Sequence, residues 1–175
     1  IFNDADCAND PDCNSSSNPN CASNDLAIIA ALDHARLTLL PSGVGRLIVN
    51  MSLGIPATES TSCPGPMQSA VTSAFNDGIV LVAAAGNDGV GVNFQGKCTG
   101  VIPVGMTDKG NNVDSRSSRG GAMTTSGVVA PGVGLTTTFL NGGYTASATG
   151  TSFAAPVVSG LAALILSARP NFTPT

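Results

Sequence analysis

Tryptophan is absent from this 175-residue chain, and there is a single tyrosine beside six phenylalanines. Any core must therefore be packed from Ala, Val, Ile and Leu. The 42% of hydrophobic residues supplies enough of them for one ordinary domain. Charge is scarce as well: 10% of the residues are Asp, Glu, Lys or Arg, against roughly 25% in an average soluble domain. Low charge with 21 glycines suits a compact extracellular protein and does not suit a disordered chain. No Lys/Arg cluster exists and the net charge is −4, so nucleic acid is not an expected partner. No apolar run reaches the roughly 18 residues of a membrane span. The longest, Val157 to Leu166, is interrupted by Ser159 and Gly160. A signal peptide is not recognisable, and the first residue is Ile1, so the chain is expected to begin inside a longer precursor.

The five cysteines, Cys7, Cys13, Cys21, Cys63 and Cys98, contain no CxxC pair. The only histidine lies apart from them, so zinc is not expected. Disulfides in an oxidising compartment are the better reading. An odd count leaves one thiol free or paired outside the chain. Asp4, Asp6, Asp10 and Asp12 place oxygen ligands close together. They could hold calcium or form a solvated acidic loop; their spacing is not that of an EF-hand.

Ile1 and Phe2 resemble the tail of a strand, and residues 3–24 form a polar loop stapled by cysteines. Asn24 or Asp25 can cap a helix in which Leu26, Ile29, Ala30, Leu37 and Leu40 recur at helical spacing. Ile28, Leu32 and Leu39 fall outside that stripe, so the helix is expected to be buried over much of its circumference. Pro41-Ser42-Gly43 ends it. Strands are expected at Leu47 to Ser52, Ile79 to Ala85, Gly100 to Met106 and Gly127 to Ala130, with a helix at Met67 to Asn76. Leu135 to Phe139 and Gly143 to Ala146 flank Asn141-Gly142, a hairpin signal. Thr151 or Ser152 opens a last helix that runs to about Ala168. Strands alternating with helices imply an α/β fold, a mainly parallel sheet with helices on both faces. Sites in such sheets gather at the carboxyl ends of the strands, where Ser52, Gly86-Asn87 and the turn before Ser152 are expected.

Ser152 stands at a helix start, where unpaired backbone N–H groups and the helix dipole stabilise an anion. It could be a nucleophile or a plain N-cap. Asn87 could donate its side-chain N–H to an oxyanion or could be a turn former. His34 could be a base, but it sits in the middle of the predicted helix, which favours a packing or solvent-facing role.

Taken together, these segments resemble the subtilases. Val49-Asn50-Met51-Ser52-Leu53-Gly54 is similar to their substrate-binding strand. Val82-Ala83-Ala84-Ala85-Gly86-Asn87 is similar to their oxyanion-hole segment. Gly150-Thr151-Ser152-Phe153-Ala154-Ala155-Pro156 resembles their nucleophile motif, and Ala130-Pro131-Gly132 a turn that often precedes it. Order and approximate spacing agree from about Asn24 to Asn171. The resemblance implies a three-layer subtilisin-like fold and a serine endopeptidase. Ser152 would attack the scissile carbonyl, with the Asn87 side chain and the Ser152 N–H holding the oxyanion. Ser52-Leu53-Gly54 and Ala85-Gly86-Asn87 would form the two walls of the pocket, and Ser52 to Gly54 would pair with an extended polypeptide substrate. Ala22 to Asn24 would lie across the cleft. No cofactor is required; a structural calcium is the one metal the family suggests. The implied location is extracellular.

The departures also carry meaning. The family's Asp-Ser/Thr-Gly and His-Gly-Thr contexts are absent, and His34 falls in the intervening helix. The resemblance places both missing residues upstream of Ile1. The chain, 1–175, reads as a partial catalytic domain: a Cys/Asp/Asn-rich loop over 1–23, and over 24–175 the cleft, oxyanion-hole and nucleophile segments. Its N-terminal part would be missing and the isolated chain inactive. Val157 and Phe153 replace the family's usual His and Met, and Gly127 stands where many members place a calcium-binding Asp. Cys63 and Cys98 are expected to pair and brace the pocket, and two of Cys7, Cys13 and Cys21 to pair locally. The small, uncharged walls suggest a broad apolar preference. A peptide-binding module without catalysis and a ligase that passes the acyl-enzyme to an amine are the competing readings.

Overall fold

The structure is a computed structural model that describes residues 25–43, 45–54, 62–139 and 142–174. The acidic loop, Cys7, Cys13, Cys21 and Ala22 to Asn24 lie outside the described residues, as does Asn141.

Four parallel strands form the centre in the order β1-β2-β3-β4: β1 Ile48–Met51, β2 Val80–Ala84, β3 Val101–Thr107 and β4 Val128–Pro131. The registers pair Asn50 with Val82, Ala84 with Val104, and Met106 with Ala130. All five residues of β2 are buried. A strand covered on both faces needs no polar alternation, which is why its sequence is a continuous apolar run. Its side chains still divide by period 2. Leu81 and Ala83 join one core cluster, and Val80, Val82 and Ala84 the other.

The first cluster is made with helices α1, Asp25–His34, and α2, Gly65–Asn76. Leu32, Met67, Val71 and Ala74 are its sealed centre. The second is made with α5, Thr151–Ala168, through Ala154, Ala155 and Leu166. Helix, sheet and helix are thus the three layers, as expected. Two short helices, α3 Phe94–Lys97 and α4 Gly121–Ser126, have no hydrophobic period long enough to announce them. β5 Leu135–Thr138 and β6 Tyr144–Ala148 form the expected antiparallel hairpin, with Thr138 opposite Tyr144.

The expected apolar stripe of α1 is corrected. Ile28, Leu32 and Ala35 are buried, while Leu26 is 74% and Leu37 67% exposed. The segment is apolar on more than one side, so periodicity alone cannot choose the inner face. The choice is made by α2, against which α1 packs. The helix is not buried over most of its circumference. After His34 it widens into a π-helical turn over Ala35–Leu39, tightens over Leu40–Ser42, and ends at Gly43.

Cys63 and Cys98 form a disulfide, Cα–Cα 5.0 Å, as the resemblance implied. It ties the approach to α2 to the end of α3. Closing a loop with a sequence separation of 35 constrains the unfolded chain by about 4 kcal/mol. The double variant Cys63→Ser/Cys98→Ser should unfold on the order of 10 °C lower in a thermal scan. An unchanged Tm would show that the bond carries no stability.

Candidate active site

The carboxyl ends of β1 and β2 lie side by side and are followed by Ser52-Leu53-Gly54 and Ala85-Gly86-Asn87. The third expected strand end is different. The turn before Ser152 follows β6 of the hairpin, not a strand of the parallel sheet. It reaches the site because the Gly150 N–H donates to the Gly132 carbonyl just past β4, at 2.8 Å.

Gly150 is the N-cap of α5 and Thr151 its first residue, so Ser152 sits in the first turn and is not the cap. Gly150, having no side chain, supplies no cap of its own. The first N–H groups of a helix lack intrahelical acceptors. Thr151 N–H is taken by Asn87 Oδ1 at 2.8 Å, and Phe153 N–H by the Gly150 carbonyl at 3.0 Å. The Ser152 N–H between them has no acceptor among the described residues.

Asn87 is oriented by the same turn. Its Oδ1 also accepts the Thr151 hydroxyl at 3.0 Å, which leaves the Nδ2 end of the amide as the free donor. Thr151 is fully buried and in turn accepts the Gly86 N–H at 3.1 Å. Gly86 has φ +113, a conformation that only glycine adopts without strain. The Ser118 N–H donates to its carbonyl at 3.0 Å. Donor amide and serine turn are therefore locked together by Thr151, a residue that the sequence motif contains but whose role it does not disclose.

Ser52 is tied to the nucleophile candidate from the other side. Pro156 lies within α5 and has no N–H to give to the carbonyl four residues back, which is that of Ser152. The Ser52 hydroxyl fills the gap, donating to Ser152 O at 2.8 Å. Asn50 Nδ2 donates to Ser52 Oγ at 2.8 Å, and Ser159 Oγ donates to Asn50 Oδ1 at 3.1 Å. This chain of hydrogen bonds fastens the end of β1 to two turns of α5. Asn50 was not foreseen as a site residue; its signal was hidden because a strand residue two before Ser52 reads only as part of the strand.

The remaining wall residues divide by exposure. Ala85 and Gly86 are buried, Leu53 is half-buried and Gly54 exposed. The Leu53 side chain packs against the α1/α2 cluster, so only its backbone is left to face the cleft. His34 is exposed near the end of α1 and takes no part in these contacts. Among the described residues no group of three His, Cys, Asp or Glu side chains could hold a metal.

The loop 114–119 supports the wall at Gly86. Arg116 Nε and Nη2 grip the Asp114 carboxylate at 2.9 and 2.8 Å. Those hydrogen bonds, with the Arg116 backbone N–H, hold the Asp114 pKa down from 3.8 to about 2. The folded value lies below the unfolded one, so the contribution is complete above about pH 4 and is lost as pH falls toward 2. Asp114→Asn should flatten this acid limb in thermal unfolding followed against pH. A limb of unchanged slope would assign the acid sensitivity to other groups.

A helix start laid against the ends of parallel strands, inside three layers, is the arrangement expected of a subtilisin-like α/β fold. Comparison with known proteins agrees. The profile of the subtilase family (Peptidase_S8) matches residues 14–175, and the chain belongs to that family. It is 41% identical over 130 residues to alkaline elastase YaB of Bacillus sp. (strain YaB), covering 74% of this chain and 32% of that protein. It is 37% identical over 130 residues to subtilisin Savinase of Lederbergia lenta, covering 74% of this chain and 45% of that protein. The solved structure of sphericase superposes with TM-score 0.74 at 32% identity, covering 87% of this chain and 53% of that one. A cold adapted subtilisin-like serine proteinase gives TM-score 0.73 at 27% identity, covering 88% and 53%. The chain thus spans less than half the length of these curated relatives.

Proposed function

We propose that this chain is the nucleophile-bearing part of a secreted serine endopeptidase that cleaves polypeptides through an acyl-enzyme on Ser152. The observation that carries the reading is the lock between Asn87 and the first turn of α5. It sets an amide donor and the unused Ser152 N–H beside one serine. In the reaction Ser152 Oγ adds to the scissile carbonyl while its proton passes to a base. The tetrahedral oxyanion is held by Asn87 Nδ2 and the Ser152 N–H. Collapse releases the amine with that proton, and water then frees the acid by the same route. No cofactor enters these steps.

The base and its Asp partner are assigned to a segment upstream of Ile1, because among the described residues no side chain is hydrogen-bonded to Ser152 Oγ and the single histidine, His34, takes no part in the site. Two surfaces support this. Among the described residues β1 is an edge strand of the sheet. On the helix beside it Leu161 and Leu164 are 55% and 70% exposed, next to a pocket lined by Arg46, Ile48, Ala163 and Leu166. α5 is apolar and long enough to cross a membrane by length and composition alone, with mean hydropathy 1.7. Its packed inner face and the site in its first turn favour a role inside a layered domain.

A serine-directed fluorophosphonate applied to the protein from the complete reading frame tests the proposal. Covalent label on Ser152 is expected. A folded, full-length protein without label there would favour the peptide-binding module.

A further inference from the structure

We propose that Asn50 is a positioning residue for the reaction: it aims the Ser52 hydroxyl at the Ser152 carbonyl and thereby fixes the direction of the Ser152 side chain. The inference rests on the protease reading above and gives that site a residue that meets neither the substrate nor the reacting atoms.

Asn50 is out of place by its surroundings. Side chains of a strand alternate between faces, so Ile48 and Asn50 share one face of β1. Ile48 packs against the cluster made with α5, while Val49 and Met51 belong to the cluster on the other side. Asn50 therefore stands on a face that otherwise packs hydrocarbon against α5, and asparagine is a poor strand residue. Both ends of its amide are spent on hydroxyl groups, those of Ser52 and Ser159.

The direction of each proton follows from the groups themselves. A carbonyl only accepts, so the 2.8 Å contact between Ser52 Oγ and Ser152 O uses the Ser52 proton. Ser52 Oγ must then accept from Asn50, which turns Nδ2 toward it at 2.8 Å. Oδ1 is left for the Ser159 hydroxyl at 3.1 Å. A hydroxyl by itself rotates to suit any partner. Here the Asn50 amide occupies the acceptor side of Ser52 and leaves its proton for the Ser152 carbonyl. Pro156 cannot replace that donor, since it has no N–H.

The carbonyl matters because of what it shares with the nucleophile. Two rigid peptide planes meet at the Ser152 Cα, which carries the side chain. The plane before it is held by Asn87 through the Thr151 N–H. The plane after it is held by Ser52, and Ser52 by Asn50. With both planes fixed, Oγ is presented in one direction. Attack on a carbonyl needs the reacting atoms aligned, and a displacement of about 1 Å can cost about a hundredfold in rate.

The test is made on the protein from the complete reading frame. Active enzyme is counted by fluorophosphonate titration, and kcat and KM are read on the plateau of the pH profile. Asn50→Ala should lower kcat about tenfold and leave KM within about twofold. Asn50→Asp keeps the shape but can only accept, so it draws the Ser52 proton away from the Ser152 carbonyl. It should lower kcat at least as far as Asn50→Ala. A packing role predicts the reverse order, with Asn50→Asp nearer to wild type. Ser159→Ala frees the amide to turn and should lower kcat about threefold. In Ser52→Ala/Asn50→Ala, kcat should match that of Ser52→Ala alone within about twofold, because Asn50 acts through Ser52. Should Asn50→Ala fail to fold, Asn50→Asp and Ser159→Ala decide, and wild-type kcat in both overturns the inference. Wild-type kcat in folded Asn50→Ala, a change in KM alone, or losses that multiply in the double variant overturn it while the protease reading stands. A wild-type protein that neither cleaves peptides nor takes the label on Ser152 overturns the protease reading and this inference with it.

Discussion

Ser152→Ala in the complete protein should lower kcat for peptide hydrolysis by about a million-fold, the scale known for the nucleophile of subtilisin, a member of this family. The size follows from the role. Without Oγ no acyl-enzyme forms, and only donors and binding contacts are left to act on water attack. The fold should survive. Ser152 is half-buried, its hydroxyl makes no hydrogen bond among the described residues, and its carbonyl, held by Ser52, is untouched by the substitution. Thermal unfolding within about 1 kcal/mol of wild type is therefore expected alongside the loss of rate. If Ser152→Ala keeps more than a tenth of wild-type activity, the assignment of the nucleophile is wrong. The isolated chain gives a second check. Lacking the base assigned to the upstream segment, it should show no turnover.

The next largest effect is expected at Asn87. Asn87→Leu should reduce kcat by about a hundredfold to a thousandfold with KM nearly unchanged, again the scale established for such a donor in subtilisin. The split matters more than the size. An oxyanion donor acts on charge that appears only in the transition state, so the ground-state complex barely senses its loss. A purely structural role would instead show in stability, since Asn87 Oδ1 receives both the N–H and the hydroxyl of Thr151. Asn87→Asp separates the two. It keeps the acceptor for Thr151 and removes the Nδ2 donor, so the turn is retained and kcat still falls. Full activity in Asn87→Asp would assign the residue to the turn alone.

Much of the layered arrangement is written in local pattern. The run Val80 to Ala84 can only be a strand covered on both faces, because it has neither the length of a helix nor polar alternation. Its alternation with helical segments forces a parallel sheet. Gly150 to Pro156 fixes both the start of α5 and its oddity. A proline at that position necessarily leaves the Ser152 carbonyl without its helical donor. The resemblance to subtilases is carried by the same short segments, so the family was legible as well.

What the sequence alone determined is therefore which segments pair locally, where the long helices begin, and which serine stands at a helix start. Tertiary structure decided the rest, because the partners are far apart in the chain. The inner face of α1 was set by α2, since an apolar segment offers more than one face and only a neighbour selects among them. Ser52 reaches the Ser152 carbonyl across 100 residues, and Thr151 meets Asn87 across 64. The Asn93 amide packs against Gly54, on the Ser52-Leu53-Gly54 wall, because a glycine there leaves room for it. Hydrogen bonds and close approaches of this kind depend on three-dimensional distance, which no local spacing encodes.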